Sequence, residues 1–365
     1  MGFRCGIVGL PNVGKSSLFN ALVQSDAALA ANYAFSTVEP NLGRIAVPDD
    51  RLAEIAALAR SPKITPTQLD FVDIAGLVRG ASRGEGLGNQ FLAHIREVDA
   101  IAHVLRCFEG SDVDRAGSVD PLADAEIVET ELMLADLESL ARRREPLVKK
   151  ARGGDQDAIA MRDMVERASA VLEDGRPARD LGIEKDEEKL FHRMQLLSAK
   201  PMLYVCNVDE DAAAGGNAHS RRIAEWAGEK GAPSVVVSAA IEAEIARLDD
   251  ADERRGFLEA LGLEDMGLGR VVRAGYDLLG LITFFTTGPV ETRAWTVERG
   301  TRAQEAAGRI HSDFARGFIA AETVAFHDYV ECGGEVGARE AARMRREGRD
   351  YIVRDGDVIL FRFNV

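Results

Sequence analysis

Residues 9–16 read Gly9-Leu10-Pro11-Asn12-Val13-Gly14-Lys15-Ser16, a complete G-x-x-x-x-G-K-S run. It follows the apolar stretch 3–8 and opens residues 15–23, which have helical character. That strand–turn–helix setting is the one in which this run binds phosphate. Glycine lets the backbone wrap an anion without Cβ clashes, so the N–H groups along Asn12, Val13, Gly14, Lys15, Ser16 and Ser17 are expected to face it. Lys15 is expected on the β- and γ-phosphates and the Ser16 hydroxyl on Mg²⁺, with the helix dipole adding to the attraction. The reading is nucleotide binding on a P-loop.

Outward from this run, short apolar stretches alternate with helical ones. Residues 69–74 and 100–107 read as strands, separated by a glycine-rich segment and a helix over 89–98, and 202–206 and 234–237 continue the series. This alternation predicts an α/β domain, a P-loop G-domain with a mostly parallel sheet covered on both faces. Between 124 and 200 strand-like sequence is nearly absent. Ile127, Thr130, Leu134, Leu137 and Ala141 recur at three- and four-residue steps, as do Met161, Met164, Val165, Ala168, Val171 and Leu172, and again Leu190, Met194 and Leu197. With Gly153-Gly154 breaking the first two segments apart, the spacing predicts an inserted antiparallel helical hairpin or short coiled-coil domain.

From about Gly280 the pattern turns β-rich, with segments at 282–287, 294–297, 323–329, 351–353 and 358–363. One helix among them is expected to open at Thr301, with Gln304 completing a capping box. Asp355-Gly356-Asp357 supplies a tight turn. This predicts a small α+β unit of the β-grasp type. The expected partition is 1–125 with 201–279 for the nucleotide domain, 126–200 for the insert and 280–365 for the last domain.

The partners a P-loop needs follow in order. Asp73-Ile74-Ala75-Gly76 ends a strand in the manner of a D-x-x-G element: Asp73 is expected to hold Mg²⁺ through water, and the Gly76 N–H to sense the γ-phosphate. Thr37, in a turn-like stretch between Ser16 and Asp73, is the candidate switch ligand for Mg²⁺. Lys15, Thr37 and Gly76 together form the expected catalytic set. Gly76, Gly80, Gly84, Gly86 and Gly88 make a loop costly to order, which suits a segment that re-forms with nucleotide state.

Composition narrows the class. The formal charge of −15 argues against coating nucleic acid through general basicity, and no DNA partner is expected. Residues 280–365 hold 12 Arg, no Lys and 13 acids, and Arg339, Arg343, Arg345, Arg346 and Arg349 cluster there as either an RNA-facing patch or a solvated face. Cys5, Cys107, Cys206 and Cys332 form no C-x-x-C pair and read as buried thiols. The N-terminus lacks signal-peptide architecture and no run is long enough to span a bilayer, so the expected address is the cytoplasm, with no membrane partner.

The residues GLPNVGKSSLFNAL, FSTVEPNLG, DIAGLVRGASRGEGLGNQFL and HVLRCFE closely resemble the Obg-related P-loop proteins, and within them the YchF / Obg-like ATPase subfamily. GPVETRAW, GRIHSDFARGFIAAE and RDGDVILFRF resemble its C-terminal TGS domain, and the helical insert fits its coiled-coil domain. The resemblance implies a ribosome-binding nucleotide hydrolase, acting as an enzyme or as a nucleotide-gated switch with incidental turnover. The insert and the C-terminal domain are then the expected contacts with ribosomal RNA or protein.

Base selection is read from Asn207-Val208-Asp209-Glu210, which stands where GTPases carry N-K-x-D. Glu210 is one methylene longer than the guanine-reading Asp and cannot take its position, which disfavours GTP. The subfamily's ATP preference agrees, and Asn207, Val208 and Glu210 are expected near adenine. Asp209 leaves a GTPase of the same architecture as the alternative. Ser238-Ala239-Ala240 matches the loop whose amides face the base. Leu77 stands where classical GTPases place Gln, so hydrolysis is expected to be slow. The family's His in the next loop is missing, with Asp114 near its place, while His94 and His103 read as structural. Asn12 matches the residue that positions K⁺ in related K⁺-stimulated enzymes.

Overall fold

The computed structural model describes residues 3–30, 42–74, 87–109, 119–248, 250–263 and 265–364. In chain order its first part is β1 (Arg4–Val8), α1 (Lys15–Ala30), β2 (Leu42–Ala46), α2 (Asp50–Ala59), β3 (Lys63–Thr65), β4 (Gln68–Asp73), α3 (Leu87–Glu97) and β5 (Ala100–Arg106). The middle is α4 (Pro121–Arg152), α5 (Gln156–Glu173), α6 (Glu188–His192), β6 (Met202–Asn207), α7 (Ala218–Glu229), β7 (Ser234–Val237), α8 (Ala239–Ile245), α9 (Ala251–Ala260) and α10 (Gly267–Leu278). The last part is β8 (Leu281–Thr286), β9 (Glu291–Glu298), α11 (Ala303–Ile310), α12 (Ser312–Arg316), β10 (Phe318–Ala325), α13 (Phe326–Glu331), α14 (Glu335–Glu340), β11 (Arg345–Glu347) and β12 (Asp357–Phe363).

Six strands form a sheet in the order β2-β4-β1-β5-β6-β7, parallel except for β2 against β4. Every residue of β5 and β6 is buried, as continuous apolar runs require in a sheet covered on both faces. Leu18, Leu22, Phe91, Ile95, Val128, Leu132, Leu268 and Val272 supply the covering helices' share of the core. The fold is α/β, with a mixed but mostly parallel sheet.

Helix α4 has two partners along its length. Asp120 caps its start by accepting from Ala123 N, Pro121 occupies the first turn where no N–H is missed, and Ala125, Val128, Leu132 and Ala135 lie in the core of the first sheet. Past that point Leu140 packs with Met164, Val165, Ala168 and Leu172 of α5. The expected boundary at 125/126 therefore falls inside one continuous helix. Gly154, at φ 84°, makes the left-handed turn, and Asp155 caps α5 through Ala158 N. The third helical repeat expected at Leu190–Leu197 is corrected. Only Glu188–His192 is helical, because Gln195 turns left-handed at φ 52° and Asp136 captures the amides of Leu197 and Ser198.

The second sheet runs β11-β10-β12-β8-β9-β3. Its last strand comes from far upstream: β3 pairs in parallel with β9, and α2 packs Leu52 and Ile55 against Phe285, Ala294 and Val324. Ser61 Oγ donates to Gly288 O at 2.7 Å and Arg51 Nη1 to Asp355 at 2.6 Å, so residues within the expected 1–125 segment help to build the C-terminal sheet. From the other side, Tyr276 of α10 reaches Ile282 O at 3.0 Å and Thr283 Oγ1 at 2.8 Å.

Three local expectations in this region are corrected. The strand expected over 323–329 ends at Ala325 and becomes α13, whose Tyr329 is buried against α14 and α2. Residues 351–353 form no strand, only the bridge between Arg302 and Ile352. The cap of α11 lies one residue later than expected: Glu305 accepts from Arg302 N at 3.1 Å, Thr301 donates to Glu298 O at 2.7 Å, and Gln304 donates to Ala315 O at 2.8 Å. Glu305 holds the position because its carboxylate is the stronger acceptor.

Candidate functional site

The C-terminal ends of β1, β4, β5 and β6 converge on residues 9–16. Gly9 leaves no room for a side chain, since a Cβ there would stand 2.8 Å from Val104 O and 2.9 Å from Val13 Cγ2. Asn12 and Gly14 take left-handed backbone at φ 63° and 86°, which gives the loop its wrap before α1 begins at Lys15. Asn12, Ser16 and Ser17 are exposed at the mouth, while Val13 is buried in the core.

Lys15 Nζ pairs with Asp73 at the end of β4, both largely buried. The expected phosphate lysine and the expected Mg²⁺ acid therefore share one spot, next to the exposed Ser16 hydroxyl. Among the described residues no group of three or more His, Cys, Asp or Glu gathers as an all-protein metal site. A hard cation held by one hydroxyl, one carboxylate and nucleotide oxygens needs no such group, and Ser16 with Asp73 fits that donor set.

Asn207, 5% exposed, stitches two loops together. Its Nδ2 donates to Val13 O at 3.0 Å and its Oδ1 accepts from Ala239 N at 2.9 Å. A Cβ on Gly14 would overlap Asn207 Nδ2. Each end of the amide makes one contact, and together these hold the phosphate loop against Ser238-Ala239. Val208 is buried in the core, with its N–H donating to Val237 O at 2.8 Å. Glu210 is exposed at the start of a single 3-10 turn. Asp209 accepts from Glu109 N at 3.2 Å and so ties this loop to the one after β5. Ser238 Oγ is buried with no hydrogen-bond partner. Thr37, Gly76, Leu77 and Asp114 lie outside the described residues.

His94 is exposed on α3. His103 is fully buried on β5, 6.0 Å from the Tyr204 ring, and both ring nitrogens lack partners. Burial pushes its pKa down to about 4, opposed by Glu129, so the ring is neutral. Burial likewise raises Cys5 to about 12, and contact with Cys206 together with burial raises Cys107, which leaves both as inert thiols.

One cluster had no signal in the sequence. Glu129 of α4, 5% exposed, accepts from Arg179 Nη2 at 2.5 Å, Tyr204 Oη at 2.5 Å and Lys230 Nζ at 2.8 Å. Burial raises its pKa, but Arg179, Lys230 and Tyr204 together hold it below the usual carboxylate range. In the sequence Glu129 is one acid among many on an amphipathic helix, and its three partners lie between 50 and 101 residues away.

Two family models match. One, described as a 50S ribosome-binding GTPase, covers residues 4–133, and the YchF-GTPase C-terminal model, described as a protein of unknown function, covers residues 281–364. The chain is 52% identical over 366 residues to the ribosome-binding ATPase YchF of Haemophilus influenzae and 50% to that of Escherichia coli O157:H7. It is 49% identical over 368 residues to that of Bacillus subtilis, with all of both chains covered in each case. The solved structure of the Schizosaccharomyces pombe YchF GTPase superposes with a TM-score of 0.89 at 33% identity, over 99% of this chain and 98% of that one.

Proposed function

The chain belongs to the YchF family of P-loop nucleotide hydrolases, and on that premise we infer that it is a slow Mg²⁺-dependent ATPase that binds ribosomes. The observation that carries ATP over GTP is the occupation of Asn207 through Glu210. Val208 is turned into the core, Glu210 stands where the shorter guanine-reading acid would be needed, and the one other acid, Asp209, accepts from Glu109 N. Leaving the guanine N–H groups poorly paired disfavours GTP strongly.

In this reading Lys15 and the P-loop amides bind the nucleotide phosphates, and Ser16 and Thr37, with Asp73 through water, would hold Mg²⁺. When bound there, Mg²⁺ would supply positive charge to offset what develops on the phosphoryl oxygens. Asn207 keeps the phosphate and base loops in register. Leu77 offers no hydrogen bond to the attacking water, which accords with slow turnover. Asn12 at the mouth is the group for K⁺, and equal rates in K⁺ and Na⁺ would remove that part.

The partition proposed is a nucleotide unit, the α4–α5 hairpin, and a C-terminal TGS unit to which α2 and β3 also contribute. Ribosome contact is proposed through the hairpin and the C-terminal unit. Residues 142–152, toward the hairpin's turn, hold six basic side chains and one acid in a chain of net charge −15, a local attraction for RNA phosphate. In the C-terminal cluster, Arg339, Arg343 and Arg345 are paired with Glu322 and Glu335, Asp328, and Glu347 respectively. At the hairpin Arg142 and Lys149 are likewise paired, with Glu138 and Glu145, so each of the two segments keeps only part of its positive charge for RNA phosphate. A cytoplasmic place is proposed from the ribosome-binding names of the relatives; no helix among the described residues is long and apolar enough to cross a membrane.

A GTPase of the same architecture is the second reading, favoured by the description of the fission yeast relative. Competition between ATP and GTP for labelled ATP, in Mg²⁺ and K⁺, decides between them. ATP displaces the label far better under the first reading, and GTP wins under the second.

A further inference from the structure

A chain of buried polar contacts leads from the helical hairpin to the end of α3, away from the nucleotide loops. Asp136 of α4, 1% exposed, accepts from Leu197 N and Ser198 N at 2.8 Å each and from Ser198 Oγ at 2.6 Å. Ser198 Oγ accepts in turn from Ala178 N at 3.1 Å, and its carbonyl from Arg179 N at 3.2 Å, so the return arm of the insert is held rigidly to α4. Two residues on, Lys200 Nζ donates to Arg96 O at 3.2 Å and to Val98 O.

Those carbonyls stand at the C-terminal end of α3, where no intrahelical donor remains and the helix dipole is negative. A half-buried ammonium is a strong partner for them, and among the described residues no carboxylate forms an ion pair with it. Burial pushes the Lys200 pKa below its ordinary value, with Asp99 and Asp136 opposing. The contact therefore sits in a partly dry place, where a charged hydrogen bond counts for more than on the surface.

At its other end the contact reaches the nucleotide loop through packing. Phe91, Leu92, Ile95 and Val98 seat α3 on the first sheet, and Val98 closes on Gly6 of β1, where an added Cβ would lie 3.0 Å from its Cγ2. β1 runs directly into the P-loop, and α3 lies downstream of the segment that begins at Asp73. A displacement of α3 at Val98 would press on β1, the strand that leads into the phosphate loop.

We propose that Lys200 is a positioning residue: it fastens the helical hairpin to the C-terminal end of α3, so that the hairpin's position sets the rate of nucleotide turnover. The proposal rests on the ATPase reading for its kinetic consequence, but the fastening itself is independent of it. Loss of a coupling contact of this kind changes a rate by roughly two- to thirtyfold.

The test uses Lys200→Met and Lys200→Arg in the full chain, read by ATPase kinetics and by amide hydrogen exchange at the end of α3. Lys200→Met is expected to lower kcat by that factor with KM held within about twofold, and to speed exchange at Arg96–Val98. Arg, which also donates to carbonyls, restores both. Unchanged exchange in Lys200→Met overturns the proposal whatever the activity. So does an unchanged kcat, or a loss that Arg fails to restore. If the wild-type chain hydrolyses no ATP, the functional reading fails, and exchange alone decides whether Lys200 holds α3.

Discussion

The phosphate loop and the root of the helical insert lie on the same sheet and are held by opposite means. The loop is shaped by backbone: Gly9 where no side chain fits, Asn12 and Gly14 in left-handed conformation, and one neutral side chain, Asn207, joining it to Ala239. The root is held by buried charge: Glu129 among Arg179, Lys230 and Tyr204, Asp136 on two amides and a hydroxyl, and Lys200 on two carbonyls. Backbone geometry leaves the amides of the first region free for a ligand. Buried ion pairs in the second leave few alternative arrangements, because a mispaired charge away from water is costly. A region that must receive an anion and a region that must hold its place are thus built from different chemistry.

The largest effect that would break this comparison comes from Gly14→Ala. A Cβ at φ 86° is strained and would push aside the Asn207 amide, losing two buried hydrogen bonds as well. Together these amount to about 3–4 kcal/mol, so, where the loss falls on the nucleotide-bound conformation, affinity should drop roughly 100- to 1,000-fold in a titration, with the hairpin still folded. Retained affinity would show that the loop is not shaped by its backbone.

Glu129→Ala should destabilise the root while sparing the loop. Removing the acid strands Arg179 and Lys230, but Lys230 is about a third exposed and can reach water. The loss should therefore fall toward the lower end of the range for a broken buried pair, about 3 kcal/mol. Denaturant unfolding would measure it, and nucleotide affinity in the folded protein should change little. A stability like that of the wild type would mean that the cluster contributes no more than a surface pair.

The smallest effect is the one with pH. His103, pushed down to about 4 by burial, binds its proton less readily folded than unfolded. Its contribution is whole above the unfolded value of about 6.5 and is lost as pH falls toward 4, at a cost of about 2–3 kcal/mol. Glu129, also held below its ordinary value, gives a further loss only in the carboxylate range. Glu242, pushed up to about 7 by burial, binds its proton more readily folded and so gains stability over the same window. The net slope of stability measured from pH 7 to 4.5 is therefore a difference, and His103→Leu should shift that slope toward greater stability at low pH. An unchanged slope in the variant would assign the pH dependence to the carboxylates alone.

The readability of the two regions follows the same division. The eight residues of the loop announce themselves because their constraints are local: a turn that needs glycine, a lysine for phosphate and a hydroxyl for a cation must sit at set spacings along one short segment. The alternation of apolar strands and helices, and the step of three and four along α4 and α5, are legible for the same reason, since each records a burial pattern within one element. Where local rules competed, the reading slipped. Thr301 and Gln304 made a plausible cap, but Glu305 is the stronger acceptor, and residues 326–329 looked like strand until Tyr329 found its place against α14.

The sequence by itself determined the nucleotide loop, the alternation of strands and helices that follows it, and the departure from the guanine-reading motif, because each is written in neighbouring residues. Only the tertiary structure decided that Asn207 serves the loops, that Asp209 is already engaged by Glu109, that β3 crosses to the C-terminal sheet, and that Glu129, Asp136 and Lys200 anchor the insert. Those roles depend on which distant groups share a space without water. A carboxylate or an ammonium carries the same letter whether it lies in solvent or in that space.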